Sequence, residues 1–150
     1  MVLGTGELAY KCAKFINENQ ILVKFFDTNF TQSKILQRKI EKENIEYLCK
    51  TKHELIEILE NTSNPVVLMS AINPHLIPKK ILEKQNIRAI NLHPALLPRH
   101  PGRNVEAWTI FEQDQEAGIT WHVMTPIVDT GNILIQKRIS IDDRYTSLKL

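Results

Sequence analysis

Cysteine and glycine are scarce in this sequence: 2 and 5 of 150 residues. Cys12 and Cys49 lack the C-x-x-C spacing of zinc and redox sites, and none of the 5 histidines forms an H-E-x-x-H pair, so no metal is expected. With no secretory signal ahead of them, both thiols read as reduced packing residues of a cytoplasmic protein. No apolar run approaches the roughly 20 residues of a membrane-spanning helix. Neither sign of charge dominates, because 19 basic against 17 acidic residues leave a formal net charge of +2. That balance excludes the strongly basic face of a general nucleic-acid binder. No repeat, low-complexity tract or G-x-S-x-G nucleophile motif is present.

What is there fits one globular core. Apolar runs over residues 1–3, 21–26, 45–49, 66–69 and 87–92 predict strands. Between them, residues 7–17, 32–42, 53–60 and 79–84 have helical periodicity with charged outer faces, as crossovers between parallel strands require. The expected fold is α/β, a doubly wound Rossmann-like and mainly parallel sheet with antiparallel strands near the C-terminus. Those last strands are read at residues 119–124 and 133–141, after a helix from Arg103 to about Glu116 that Gly118 is expected to cap. A short first strand and an interrupted helical turn at residues 146–150 suggest a single domain over residues 1–150, cut short at its C-terminus.

Two sites compete. Gly4, Gly6 and Ala9 match G-x-G-x-x-A between a strand and a helix, and Asp27 ends the next strand, as in a dinucleotide fingerprint. The glycines would admit a pyrophosphate and Asp27 a ribose, though any tight strand-to-helix turn needs such glycines. The second site starts from Asn91 and His93, two apart at the end of an apolar strand, so both side chains project from one face. A Pro-rich loop follows, and Asp129 stands 36 positions beyond His93 in the run Val128-Asp129-Thr130-Gly131. Singly, a strand-end histidine and an Asp-x-Gly turn are commonplace. Jointly, they suit acyl transfer to an amine. Asn91 and a protonated His93 are donors for a tetrahedral oxyanion, and Asp129 would orient the imidazole, favour its charged form and help move a proton.

In residues, order and spacing, Asn91-x-His93-Pro94-Ala95-Leu96-Leu97-Pro98, then Gly102, then Asp129-x-Gly131-x-Ile133-Leu134 resembles the folate-dependent formyltransferase family. Ala95 and Asn132 replace a usual serine and proline, and Pro126-Ile127 replaces a more acidic loop. The resemblance implies catalysis by Asn91, His93 and Asp129, with 10-formyltetrahydrofolate as donor and no metal. It also implies a folate pocket lined by Leu76, Ile77, Pro78, Val128, Thr130 and Gly131. Acceptor contacts are implied at Leu97, Pro98, Arg99, Gly102 and Arg103. Arg88, Arg99, His100 and Arg103 suit a phosphate-bearing acceptor or the acidic folate tail, or are simply surface charge. The run from Gly102 to Phe111 is most similar to domains acting on carrier-bound amino acids or amino sugars; aminoacyl-tRNA stays open as an acceptor. His75 and His100 fall near the implied pocket, whereas His53 and His122 read as structural. The expected activity is formyl transfer in one-carbon metabolism, acting on a small-molecule or carrier-bound amine. A folate deformylase, a NAD-type module using Gly4, Gly6 and Asp27, and a non-catalytic scaffold are the alternatives.

Overall fold

The computed structural model describes residues 1–29, 34–49 and 51–149. The strands, in hydrogen-bonded order, read β3-β2-β1-β4-β5-β6-β7. They are β1 (Val2–Gly4), β2 (Lys24–Asp27), β3 (Glu46–Cys49), β4 (Val66–Ala71), β5 (Ile87–His93), β6 (Glu116–Val123) and β7 (Ile133–Ser140). β1, β2, β3 and β4 pair in parallel, while β5, β6 and β7 pair antiparallel, giving the expected mixed α/β sheet. The chain divides into two compact units, Met1–Ala89 and Ile90–Leu150.

In the first unit, short strands bury both faces: Val2, Leu3, Phe25 and Phe26 are fully enclosed. Helix α1 (Gly6–Glu18) packs on β1 and β4 and buries Ala9 and Ala13. Gly4 permits that closeness, since a Cβ there would lie 1.8 Å from the Ala71 carbonyl oxygen. α2 (Lys34–Lys42) buries Leu36 and Ile40; Gln32 and Ser33, at the start of the expected helix, lie outside the described residues. α3 (Lys52–Asn61) opens with a reciprocal cap in which Glu54 N–H donates to Thr51 Oγ1 at 3.3 Å and Thr51 N–H to Glu54 Oε2 at 2.8 Å. α4 (Lys79–Leu82) is a single turn. β2 begins at Lys24 rather than residue 21, because Ile21 N–H still bonds the Ile16 carbonyl at the exit of α1.

The second unit corrects one expectation. α5 spans only Val105–Phe111, and Gln113, at φ 56°, turns the chain out of it. Gly118 is no helix cap. It lies within β6 opposite Arg138, where a Cβ would stand 2.2 Å from the Lys137 carbonyl oxygen and 2.6 Å from Leu96. A glycine after an amphipathic run suggests a cap locally, but here it answers a contact across the sheet. The expected turn at residues 146–150 is present as a Lys149 N–H bond to the Thr146 carbonyl, with Leu150 outside the described residues.

Candidate functional site

All three residues of the second sequence site lie in the second unit. β5 ends on Asn91 and His93, and its antiparallel register sets them opposite His122 and Thr120 of β6. Thr120 is fully buried and builds the loop that follows. Its hydroxyl donates to the Ala95 carbonyl at 2.6 Å and accepts from Leu97 N–H at 3.2 Å and Gln136 Nε2 at 2.9 Å. Gln136 also donates to the Leu97 carbonyl at 2.8 Å, so β6 and β7 together hold the start of the Pro-rich loop. Leu97 is thereby a buried anchor, while Pro98, Arg99, Gly102 and Arg103 are exposed.

Asp129 arrives on the β6–β7 connection. That connection is braced by Thr125 Oγ1 donating to the Ile127 carbonyl at 2.7 Å and Thr130 Oγ1 to the same oxygen at 3.0 Å. Asp129 itself adopts a left-handed backbone, φ 56°, a conformation that aspartate tolerates better than most residues. Gly131 lets the loop rejoin the sheet, since a Cβ there would fall 1.7 Å from the Val123 carbonyl oxygen.

This loop geometry brings the carboxylate to the strand-end imidazole: His93 Nδ1 is 3.4 Å from Asp129 Oδ2. The Gly102 N–H donates to that same oxygen at 2.8 Å, clasping the Pro-rich loop to the Asp129 loop. On the other side, Asp129 Oδ1 lies 3.4 Å from His122 Nε2. Asn91 Nδ2–H donates to His122 Nε2 at 3.3 Å, and His122 Nδ1–H donates to the Val123 carbonyl at 3.0 Å. His93 and His122 are 3% and 2% exposed, so their contacts with the carboxylate are little screened by water. His122, expected from the sequence to be structural, lies between Asn91 and Asp129. Its position directly across from Asn91 is a matter of strand register, which no local pattern displays.

Two basic residues of the Pro-rich loop are engaged with Asp114. The Arg99 guanidinium is bound to Asp114 Oδ1, and His100 Nε2–H donates to Asp114 Oδ2 at 2.7 Å. Arg99 thus reads as part of the loop's internal support rather than as an unengaged cation, whereas Arg103 is exposed without an ion pair among the described residues. His100, Glu112 and Asp114 offer ligand atoms within 4.8 Å of one another, a grouping that sequence spacing did not reveal. Arg99 already matches charge there.

The residues expected in the first unit have their own settings. Asp27 is 0% exposed; its oxygens accept from Asn29 N–H at 2.9 Å and from the Tyr47 hydroxyl at 2.6 Å. The same bond, with burial as the larger cause, pushes the Tyr47 hydroxyl far above its ordinary range. A ribose would find that carboxylate enclosed and engaged, which weighs against the dinucleotide reading. Gly4 is accounted for by β4, and Gly6, φ 74°, by the turn into α1. Leu76, Ile77 and Pro78 form an irregular segment before α4, with Ile77 buried and Leu76 exposed. Arg88 donates to the Gln85 and Ile87 carbonyls, both at 3.0 Å. His75 N–H bonds the Asn73 side chain.

The chain is similar to known proteins in sequence and in fold. The chain is 38% identical over 87 residues to a GDP-perosamine N-formyltransferase of Brucella melitensis, covering 58% of this chain and 34% of that protein. It is 34% identical over 110 residues to a methionyl-tRNA formyltransferase of Caldanaerobacter subterraneus, covering 73% and 33%. The chain therefore spans about a third of the length of these relatives. The fold matches a sugar 3N-formyltransferase solved in the presence of dTDP and 5-N-formyl-THF, with TM-score 0.78, 22% identity, and coverage of 99% of this chain and 54% of that one. Residues 26–150 match the formyl transferase family model, and the chain belongs to that family.

Proposed function

We propose that the protein transfers a formyl group from 10-formyltetrahydrofolate to a primary amine. The observation that carries this reading is the contact between His93 Nδ1 and Asp129 Oδ2, on the cluster that also holds Asn91. The amine nitrogen attacks the formyl carbon, whose oxygen gains negative charge. The Asn91 amide N–H is the donor for that charge, and His93, whose Nε2–H is taken by the His100 carbonyl, offers Nδ1 to Asp129. Asp129 accepts the proton shed by the amine, directly or through water. Collapse breaks the bond to the folate nitrogen, which takes up a proton and leaves as tetrahydrofolate. No covalent enzyme intermediate is needed.

On the strength of the sequence resemblance, Leu76, Ile77 and Pro78 in the first unit and Val128, Thr130 and Gly131 in the second are each proposed as folate contacts. Leu97, Pro98, Arg99, Gly102 and Arg103 are proposed for the acceptor side, with Arg103 the best placed of them to meet a phosphate. The acceptor is an amino sugar, a carrier-bound amino acid or an aminoacyl-tRNA. The Brucella relative and the sugar 3N-formyltransferase of similar fold support the amino sugar. We read the protein as a cytoplasmic enzyme of one-carbon metabolism and the chain as its catalytic domain. The free thiols of Cys12 and Cys49 fit that compartment, and no helix among the described residues is long and apolar enough to cross a membrane.

The test incubates the full-length protein with 10-formyltetrahydrofolate and a panel of amines, following donor loss and product mass. Donor loss should match formylated amine, and His93→Ala should slow turnover about 100- to 1000-fold. Absence of turnover with every acceptor would sink the reading. Formate released without any amine would reassign the site to deformylation.

A further inference from the structure

An acidic residue between α5 and β6, Asp114, is linked to His93 through His100. His93 Nε2 is 2.7 Å from the carbonyl oxygen of His100. A carbonyl can only accept, so Nε2 carries a proton and Nδ1 is the nitrogen left to exchange one with Asp129, 3.4 Å away. The backbone of His100 is left-handed, with φ 50°, a region that histidine enters more readily than most residues with a side chain. The His100 side chain is tied to Asp114. Asp114 Oδ2 accepts from His100 Nε2–H at 2.7 Å, its Oδ1 is held by the Arg99 guanidinium, and its side chain is 4% exposed. Asp114 is in turn placed by its own N–H bond to the Thr109 carbonyl at 3.1 Å, where the chain leaves α5.

We propose that Asp114 is a positioning residue for the proposed formyl transfer: by anchoring His100 it presents the backbone carbonyl that locks His93 with its proton on Nε2 and Nδ1 toward Asp129. The inference rests on the formyltransferase reading for its catalytic consequence, but not for the hydrogen-bond chain itself. Asp114 touches no reacting atom and acts only through the His100 peptide. The other ionisable groups facing this chain are Glu112, 3.9 Å from His100 Nε2, and His122 on the far oxygen of Asp129. Losing the anchor releases the His100 peptide and lets His93 sample the tautomer with its proton on Nδ1. That form presents a bare nitrogen to His100 and a fixed proton to Asp129.

The experiment labels the histidines of the full-length protein with nitrogen-15 and reads ring-nitrogen tautomers by NMR, with the His93 signals assigned by their loss in His93→Gln. Kinetics of formyl transfer against pH run in parallel. The parent protein should show His93 protonated on Nε2. Asp114→Ala should mix the tautomers, lower kcat about tenfold while leaving KM for the folate donor within about twofold, and displace the pH profile. Asp114→Asn keeps an oxygen for His100 and should restore both tautomer and profile. A parent spectrum with the proton on Nδ1 overturns the proposal before any variant is made. An Asp114→Ala protein with the parent's tautomer and pH profile overturns it also, whatever its stability. Should Asp114→Ala not fold, Asp114→Asn decides: a tautomer or profile unlike the parent's would count against anchoring through the His100 hydrogen bond. If no variant and no parent sample transfers formyl groups, the functional reading falls, while the tautomer measurements still decide the positioning.

Discussion

Asp129 gathers one site, with the Gly102 N–H bonded to one of its oxygens and the rings of His93 and His122 each 3.4 Å from the carboxylate. Its placement depends on a residue that offers no functional group at all. Gly131 stands where any Cβ would overlap the Val123 carbonyl oxygen, 1.7 Å away. Gly131→Ala is therefore expected to cost about 1–3 kcal/mol and to lower turnover more than stability alone explains, because the loop must shift with Asp129 on it. Urea denaturation alongside kcat checks this, and a variant with parental stability and turnover would show that the loop absorbs the extra atom. Asn91, His93 and Asp129 were legible from type and spacing, whereas His122 and Asp114 were not. Their relevance comes from the register of β5 against β6 and from the exit of α5, both set by contacts distant in sequence.

Thr120 shows how a strand can shape a loop. One buried hydroxyl serves the Ala95 carbonyl, the Leu97 N–H and Gln136. Thr120→Val keeps the shape and removes every one of those bonds. The expected loss is about 1–3 kcal/mol, with reduced kcat as the Pro-rich loop loosens. Thermal unfolding and kinetics would measure both, and a stable, fully active valine variant would contradict it. In the first unit, Glu43 has the corresponding role between helices. It follows α2 and accepts from Lys14 at 2.8 Å and from the Tyr10 hydroxyl at 2.7 Å on α1. The Lys14 ammonium first, and the Tyr10 hydroxyl second, hold the Glu43 carboxyl below its usual range. A carboxyl depressed in the folded state stabilises above its unfolded value, and that stabilisation is lost as pH falls through the folded one. Glu43→Gln should thus unfold at a lower temperature than the parent near neutrality, with the gap closing as acid protonates the parent's carboxylate. A gap independent of pH would contradict the assignment. Element types and centres were readable from apolar periodicity, as β4 and α3 illustrate. Boundaries failed where a nonlocal demand overrode the local pattern: residues 112–116 continue an amphipathic run, yet Gln113 turns out of the helix and Glu116 already pairs with Ser140.

At the scale of the molecule, alternation of apolar and charged segments was enough to foresee a mostly parallel sheet with antiparallel strands at its C-terminal side. It could not foresee which apolar residues would stay uncovered. β7 ends the strand order, and Ile133, Leu134, Ile135 and Ile139 on it are 46%, 55%, 63% and 46% exposed. An apolar edge strand recruits other strands. The 150-residue chain by itself should associate as its concentration rises, and Ile135→Lys should reduce that association in sedimentation velocity. A parent that stays monomeric over the same range would refute the expectation.

Gly118 has a consequence for how such sequences can drift. A single-residue slip of β6 against β5 would turn His122 to the opposite face of the sheet and dismantle its contacts with Asn91 and Asp129. Gly118 resists the slip, because only a residue without a side chain fits against Leu96 and the Lys137 carbonyl. Register is thereby held by a point inside β6 and not by the length of the connection before it. An insertion or deletion at the α5 exit, around Glu112 and Gln113, would leave the histidine in its place but draw Asp114 away from His100 and Arg99, so the strand can keep its register while the Pro-rich loop loosens.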